Sequence, residues 1–334
     1  MRVAILAALL APALACGESG GGGPPAGPGT PGTPGPAAPA VGSPTFAGCP
    51  VLPTDDPWNE DVSALPVDPA SDALIAAMAP DEAIKLALGV TEQHYGQPVA
   101  VVPPGQPLVP IEYGVEGEDY RGESDPGPFP IPLDVPIQGG SAESPGPVSG
   151  DRHVVVVQRE TCLLFELYKA VRIPGGFRVA SSVRWDLRRT PSRPPGWTSA
   201  DAAGLPIFPG LLRWDEVESG KIAHALRFTA PRVRRAYVAP ANHCGPNADP
   251  SLPPYGTRVR LRADFDVTPY TGPARVLLEG LKRHGLILAD EGTPWTIGGS
   301  THEGFGEVLR QLRARPVPGR AFEVVRLGTI VTEC

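Results

Sequence analysis

Short apolar runs, separated by charged or Gly/Pro-rich turns, fill the second half of the chain. Residues 153–158 and 162–168 are two such runs, and the charged turn between them predicts a β-hairpin. Other runs predict strands at residues 177–187, 222–229, 236–239, 257–267, 286–289, 295–297 and 322–327. We therefore expect a chain built mainly from β-strands.

The strictest alternation of apolar and charged positions lies at residues 257–267. Its apolar side chains alternate with Arg258, Arg260, Arg262, Asp264 and Asp266. Because successive side chains of a strand point to opposite faces, this pattern predicts one core face and one charged, solvent-facing face. The alternative is that the charged face lines a groove for an anionic glycan.

Helices are predicted at residues 80–89, 273–284 and 303–313, from Pro or acidic residues at their starts and apolar stripes along them. Ser300 and Glu303 have the spacing of a capping box before the last of these helices. Between residues 90 and 150, Pro and Gly recur too often for long helices or central strands. The expected fold is mainly β (α+β), a β-sandwich-like core with short helices and a Pro/Gly-rich wrap.

The first 45 residues have the composition of an export signal followed by a tether. Residues 1–15 hold one positive charge, an apolar run and Ala-Leu-Ala before Cys16, which predicts a signal peptide and lipidation of Cys16. The same tripeptide also suits ordinary signal cleavage without lipid. Residues 17–44 contain ten Gly, eight Pro and no aromatic residue. We expect a lipidated cysteine and disordered tether over 16–45 and one globular β-rich domain over 46–334.

The cysteine count supports export. Five cysteines would leave an odd thiol, whereas lipidation of Cys16 leaves Cys49, Cys162, Cys244 and Cys334 for two disulfides, with three possible pairings. The expected location is the outer membrane or cell surface, with membrane contact only through the lipid anchor. With 29 basic against 36 acidic side chains and a net charge of -7, the chain lacks the basic surface of a nucleic-acid binder.

Several long sequence strings resemble one protein family. They are GWTSADAAGLPIFPGL at residues 196–211, HALRFT at 224–229 and PPYGTRVRL at 253–261. The chain resembles a family of uncharacterised secreted bacterial proteins and lipoproteins, which implies export and transfers no activity. The family pattern also implies a pair between Cys49 and Cys162. Relatives carry another residue at Cys244, so its pairing with Cys334 is preferred only because a terminal cysteine is a poor place for a free thiol.

Carboxyl groups and tryptophans between residues 197 and 216 suggest carbohydrate chemistry. Glycoside hydrolysis needs one protonated and one ionised carboxyl, for which Asp201 and Glu216 are the leading candidates; Asp215 and Asp290 belong to the same constellation. Trp197 and Trp214 could stack on sugar rings. The alternative is that the acids cap turns and helices and that the tryptophans are core residues.

Three histidines near strand ends complete the candidate site. His224 is assigned as a general base, and Arg213 and His243 as substrate-binding residues, all lining one concave surface with Asp201 and Glu216. His153, His224 and His243 could instead converge on zinc or copper, but their spacing is not that of a metal motif, so no cofactor or metal is predicted.

The expected function is that of an extracellular carbohydrate-active protein, a glycoside hydrolase if it is an enzyme. The alternative is a non-catalytic envelope lipoprotein that binds a glycan or a protein partner. The sequence lacks Walker, dinucleotide-binding, HExxH and CxxC motifs, which argues against nucleotide, zinc-protease and thiol-redox chemistry.

Overall fold

The computed structural model describes residues 43–88, 96–139 and 150–334, and these residues belong to one compact unit. The predicted signal peptide, Cys16 and nearly all of the tether lie outside the described residues. In the described part, no helix is long and apolar enough to span a membrane.

Strands outnumber helices in the described ranges, and the predicted mainly β fold is confirmed. The strands are β1 (Thr45–Phe46), β2 (Cys49–Pro50), β3 (Lys85–Ala87), β4 (Val99–Val102), β5 (Ile111–Tyr113), β6 (Val154–Gln158), β7 (Leu163–Tyr168), β8 (Val171–Ile173), β9 (Gly176–Val179), β10 (Ser181–Asp186), β11 (Leu226–Ala230), β12 (Arg234–Tyr237), β13 (Pro254–Tyr255), β14 (Arg258–Leu261), β15 (Leu286–Glu291), β16 (Thr296–Gly298) and β17 (Phe322–Val324). The helices are α1 (Ser71–Ala77), α2 (Trp214–Glu218), α3 (Gly272–Arg283) and α4 (Gly306–Ala314), with 3-10 turns at Arg121–Glu123, Phe208–Gly210, Glu303–Phe305 and Gly319–Ala321.

A four-stranded sheet with the order β10-β7-β6-β4 contains the predicted hairpin, in which β6 and β7 pair antiparallel. Val155 and Val157 face the large core, whereas Val154 and Val156 face a second apolar cluster. Both faces of β6 are therefore buried, which explains its unbroken run of valines.

A six-stranded mixed sheet has the order β17-β14-β15-β11-β16-β3. Its central strands β11 and β15 are parallel, and β16 pairs parallel with β3. Side chains from this sheet and from the four-stranded sheet form one core, as expected for a sandwich-like arrangement. Smaller sheets, β1-β2, β12-β13 and β5-β9-β8, lie around these two.

Of the predicted helices, 273–284 is confirmed as α3. The region 303–313 is a 3-10 turn followed by α4, and the His302 side chain, not Ser300, caps its start by accepting from Gly304 N at 3.1 Å. The helix predicted at 80–89 is wrong, because this segment contains β3. The apolar side chains Ile84, Leu86 and Leu88 are buried at every second position, which is the period of a strand.

The predicted solvent-facing charged strand at 257–267 is also wrong. The strand is only β14, and both Arg258 and Arg260 on it are buried. Arg258 donates to the carbonyl oxygens of Pro57, Glu60 and His284, and Arg260 donates to those of Val62 and Leu65. The segment 57–65 thus covers the two arginines of β14, whereas Asp264 and Asp266 are exposed but lie beyond the end of the strand.

The two predicted disulfides, Cys49–Cys162 and Cys244–Cys334, are both present. The first joins the N-terminal segment to the start of β7, and the second joins the C-terminal residue to the loop after β12. Two disulfides indicate an oxidising environment, such as that of an exported protein.

Candidate functional site

The six-stranded sheet positions a basic and an acidic side chain on one face. Arg227 lies on β11 and Asp290 on β15. Phe228 pairs with Leu288, but Thr229 pairs with Asp290, so Ala289 is the extra residue of a β-bulge. Because of the bulge, the Asp290 side chain lies on the same face of the sheet as the Arg227 side chain. In a regular strand it would lie on the opposite face, with Phe228.

The buried Asp201 side chain forms an ion pair with Arg227 through Oδ2 and Nη2. Asp201 Oδ1 also accepts from Ala203 N at 3.0 Å, which closes the turn that contains Asp201. Burial raises the pKa of Asp201, and Arg227 opposes that rise. Asp201 thus holds the Arg227 guanidinium through this ion pair.

Glu166 anchors the segment that follows this turn. Its carboxylate lies on β7 and accepts from Ile207 N at 2.9 Å, from Phe208 N at 2.8 Å and from Trp185 Nε1 at 3.0 Å. Two of these donors are backbone N–H groups at the start of the 3-10 turn Phe208–Gly210, where the turn itself supplies no acceptor. Glu166 therefore has a structural role, even though burial raises its pKa to about 7.

The pKa of Asp290 lies well above the ordinary value for an aspartate. Burial and the negative charges of Asp201 and Asp151 together raise its pKa to about 7, against the effect of Arg227. Near neutral pH its carboxyl group is thus partly protonated, whereas an ordinary aspartate is fully ionised.

Two polar residues just before β6, Asp151 and His153, line the same site. His153 Nε2 lies 4.0 Å from Asp151 Oδ2. The His153 side chain is buried, and burial together with the charge of Arg227 lowers its pKa to about 4 despite Asp151, so the imidazole is neutral at physiological pH. The Asp151 side chain is 52% exposed and stays in contact with water.

Two cavities meet at Asp151, His153, Arg227 and Asp290. The first, the tyrosine cavity, has a volume of about 390 Å³ and is also lined by Tyr120, Tyr168, Tyr255, Ser199, Asp201 and His243. The second, the threonine cavity, has a volume of about 460 Å³ and is also lined by Gln97, Gln138, Thr229, Thr293, Thr296 and Glu291. Together they form a cleft with charged groups at its middle.

The structure brings together only part of the predicted site. Asp201 and His243 line the tyrosine cavity, but Arg213, Glu216 and His224 line neither cavity. The prediction of one concave surface containing all five residues is therefore wrong.

Arg213, Glu216 and His224 form a separate buried cluster. Glu216 Oε1 lies 2.5 Å from Arg213 Nη2, and Glu216 Oε2 lies 2.8 Å from His224 Nε2. Burial raises the pKa of Glu216, but His224 and Arg213 outweigh burial and lower it overall. Glu216 is thus paired with both neighbours, and the assignments of Glu216 and His224 as catalytic and of Arg213 as substrate-binding stay predictions for a cluster that lies apart from the two cavities.

The tryptophans predicted to bind sugar lie elsewhere. Trp214 stacks on His302 with ring centroids 5.0 Å apart, and the Arg193 guanidinium lies 5.6 Å from the Trp197 ring centroid. Neither tryptophan lines the cleft, whose aromatic side chains are tyrosines. The three histidines considered as metal ligands do not converge, because His224 lies in the buried cluster, and in the described ranges no group of three or more His, Cys, Asp or Glu could hold a metal ion.

Sequence reasoning missed Arg227 and Asp151, placed Asp290 only in the wider constellation and weighed His153 only as a metal ligand. The sequence did carry a signal for Asp290 and His153. A polar residue at either end of an apolar strand run often lies at the edge of a sheet, where sites form. Arg227 carried no such signal, because it lies within the strand.

No protein-family model matches the chain, and neither the curated proteins nor the solved structures contain a match. The functional interpretation therefore depends on the geometry of the cleft itself.

Proposed function

We propose that the protein is an exported, carbohydrate-active enzyme that hydrolyses a glycan in the cleft centred on Asp290. The single observation that carries this proposal is the pair of carboxyl groups there with different environments. Asp290 is half-buried and has a pKa of about 7, whereas Asp151 is exposed. Two carboxyl groups in such contrasting settings are the requirement of acid/base glycoside hydrolysis.

In the proposed reaction Asp290 donates its proton to the glycosidic oxygen as the bond from that oxygen to the anomeric carbon breaks. A water oxygen bonds to the anomeric carbon and gives its proton to Asp151, which then releases it to solvent, and solvent returns one proton to Asp290. The positive charge of Arg227, which is held by Asp201, stabilises the negative charge of Asp290 after proton transfer. Asp201 is thus a positioning residue in this scheme.

The walls of the cleft support a sugar ligand. Tyr120, Tyr168 and Tyr255 offer both flat apolar faces and hydroxyl groups to the tyrosine cavity. The threonine cavity is lined by hydroxyl and amide side chains. A mixture of apolar walls and a few polar groups is typical of small-ligand sites.

We further propose that the chain is a lipoprotein anchored through Cys16 at the outer membrane or cell surface, as a member of the secreted family that it resembles. The disulfides support an exported location. Inhibition of lipoprotein signal peptidase, followed by mass analysis of the mature N-terminus, tests the anchor; an unmodified Cys16 would contradict it.

Replacement of Asp290 tests the enzymatic proposal. We expect wild-type protein to release reducing ends from at least one polysaccharide in a panel of β-glucan, chitin, mannan, xylan and peptidoglycan. Asp290→Asn should reduce the rate by at least 100-fold, because the general acid is lost. The control Asp264→Asn removes an exposed carboxylate that lines neither cavity and should keep full activity. Binding without any hydrolysis by the wild type would favour the non-catalytic alternative.

A further inference from the structure

The cleft continues on both sides of Asp290. The tyrosine and threonine cavities share only the four residues at their junction, and the remaining lining residues differ. A ligand confined to one cavity would leave the other unused. A chain-like ligand could occupy both and would place one of its internal linkages at Asp290.

Two residues that line the threonine cavity carry a polar atom that the fold itself does not use. Gln97 Oε1 and Thr296 Oγ1 are buried and have no hydrogen-bond partner among the described residues. The Gln97 side chain belongs to a residue that is only 3% exposed. A buried polar atom without a partner costs about 1–3 kcal/mol, so such atoms are usually satisfied by a water or a ligand. These atoms have almost no surface of their own open to the cavity, but both residues line it, so a rotation of either side chain would bring its unpaired atom to a ligand hydroxyl group.

The charges in the cleft discriminate against an acidic ligand. Its two basic side chains with permanent charge are already paired, Lys85 with Glu82 at 2.8 Å and Arg227 with Asp201. Asp151 and Asp290 face the junction of the cavities. A uronic acid or sulfated sugar would meet these carboxyl groups, while Lys85 and Arg227, the permanent cations among the described lining residues, already have acidic partners.

We infer that the cleft binds an uncharged polysaccharide along both cavities, so that an internal linkage meets Asp290. This inference rests on the proposed function for the cleavage step, but the binding mode can be measured separately.

Calorimetric titration of Asp290→Asn protein tests the binding mode. The probes are the hexamers and dimers of β-1,4-linked glucose, N-acetylglucosamine, mannose and xylose, with hexagalacturonate as the acidic comparison. We expect at least one uncharged hexamer to bind at least ten-fold more tightly than its dimer and than hexagalacturonate. Adding Gln97→Met should remove most of the hexamer's advantage, whereas Gln106→Met, which lies outside both cavities, should leave it unchanged.

The outcomes separate the two proposals. Tighter binding of hexagalacturonate, no binding of any uncharged hexamer, or equal binding of hexamer and dimer would overturn the inference. A hexamer that binds along both cavities but is never hydrolysed by the wild type would overturn the proposed enzyme and leave this binding mode standing. Hydrolysis that releases only terminal sugars would support the enzyme and overturn the inference.

Thermal unfolding of the Gln97→Met protein controls for misfolding and should show no loss of stability, because an unpartnered buried oxygen is removed.

Discussion

At the scale of single residues, the surroundings of each buried carboxyl group decide its role. Arg213 and His224 lower the pKa of Glu216 and so favour its ionised form. Glu166 accepts hydrogen bonds from three N–H donors. Asp290 is half-buried near other acids and lines a cavity. Sequence reasoning selected Glu216 because it lies near Asp201 along the chain, but the ion pairs that neutralise Glu216 become visible only in three dimensions.

The raised pKa of Asp290 predicts a pH-dependent loss of stability. Because the folded state holds this proton more tightly than the unfolded state, stability decreases as the pH rises from about 4, the ordinary value, to about 7. Asp290→Asn removes this contribution. We expect the free energy of unfolding, measured in urea, to fall less between pH 5 and pH 8 in the variant than in the wild type. Asp264→Asn should retain the wild-type pH dependence, and identical profiles for all three proteins would contradict the prediction.

At the scale of elements, alternation predicts strands well but does not reveal what covers them. The hairpin β6–β7 follows directly from its two apolar runs and the turn between them. The alternation around β14 was equally clear, yet its arginine face is buried, because the segment 57–65 supplies carbonyl acceptors from almost 200 residues away in the sequence. Burial of a charged face depends on such distant partners, which no local pattern encodes.

Arg260 should therefore contribute strongly to stability. Besides the carbonyl groups of Val62 and Leu65, its Nε donates to Glu323 Oε1 at 2.8 Å on the neighbouring strand β17. Arg260→Met leaves these acceptors without their donor, which should lower the free energy of unfolding by about 3 kcal/mol or more. Arg262→Met is the matched control, because this side chain is 38% exposed and its ion pairs are 3.6 Å long, so its loss should cost less than about 1 kcal/mol. Equal effects of the two substitutions in urea unfolding would contradict this interpretation.

At the scale of the whole molecule, the site depends on contacts between segments far apart in the sequence. Asp151 precedes one strand of the four-stranded sheet, whereas Arg227 and Asp290 lie on the six-stranded sheet. Strand propensities predicted these strands individually, but their order in the sheets was not predictable from them. The cleft could not be assembled from sequence for that reason.

The two disulfides should affect this assembly in different ways. Cys49–Cys162 joins residues 113 positions apart and does not line the cleft, so its loss should act through the entropy of the unfolded chain. The double variant Cys49→Ser, Cys162→Ser should lose about 4–5 kcal/mol of unfolding free energy in the chain-entropy model, while any folded protein keeps its ligand affinity.

Cys244–Cys334 spans a similar separation of 90 positions, but Cys244 lines the tyrosine cavity next to His243. The double variant Cys244→Ser, Cys334→Ser should therefore lose a comparable amount of stability and, in addition, ligand affinity. Urea unfolding and titration of the tightest-binding hexamer on both variants measure the two effects separately. Unchanged affinity in the second variant would mean that this disulfide only retains the C-terminal segment, whose Val331 pairs with Tyr237, and does not shape the cavity.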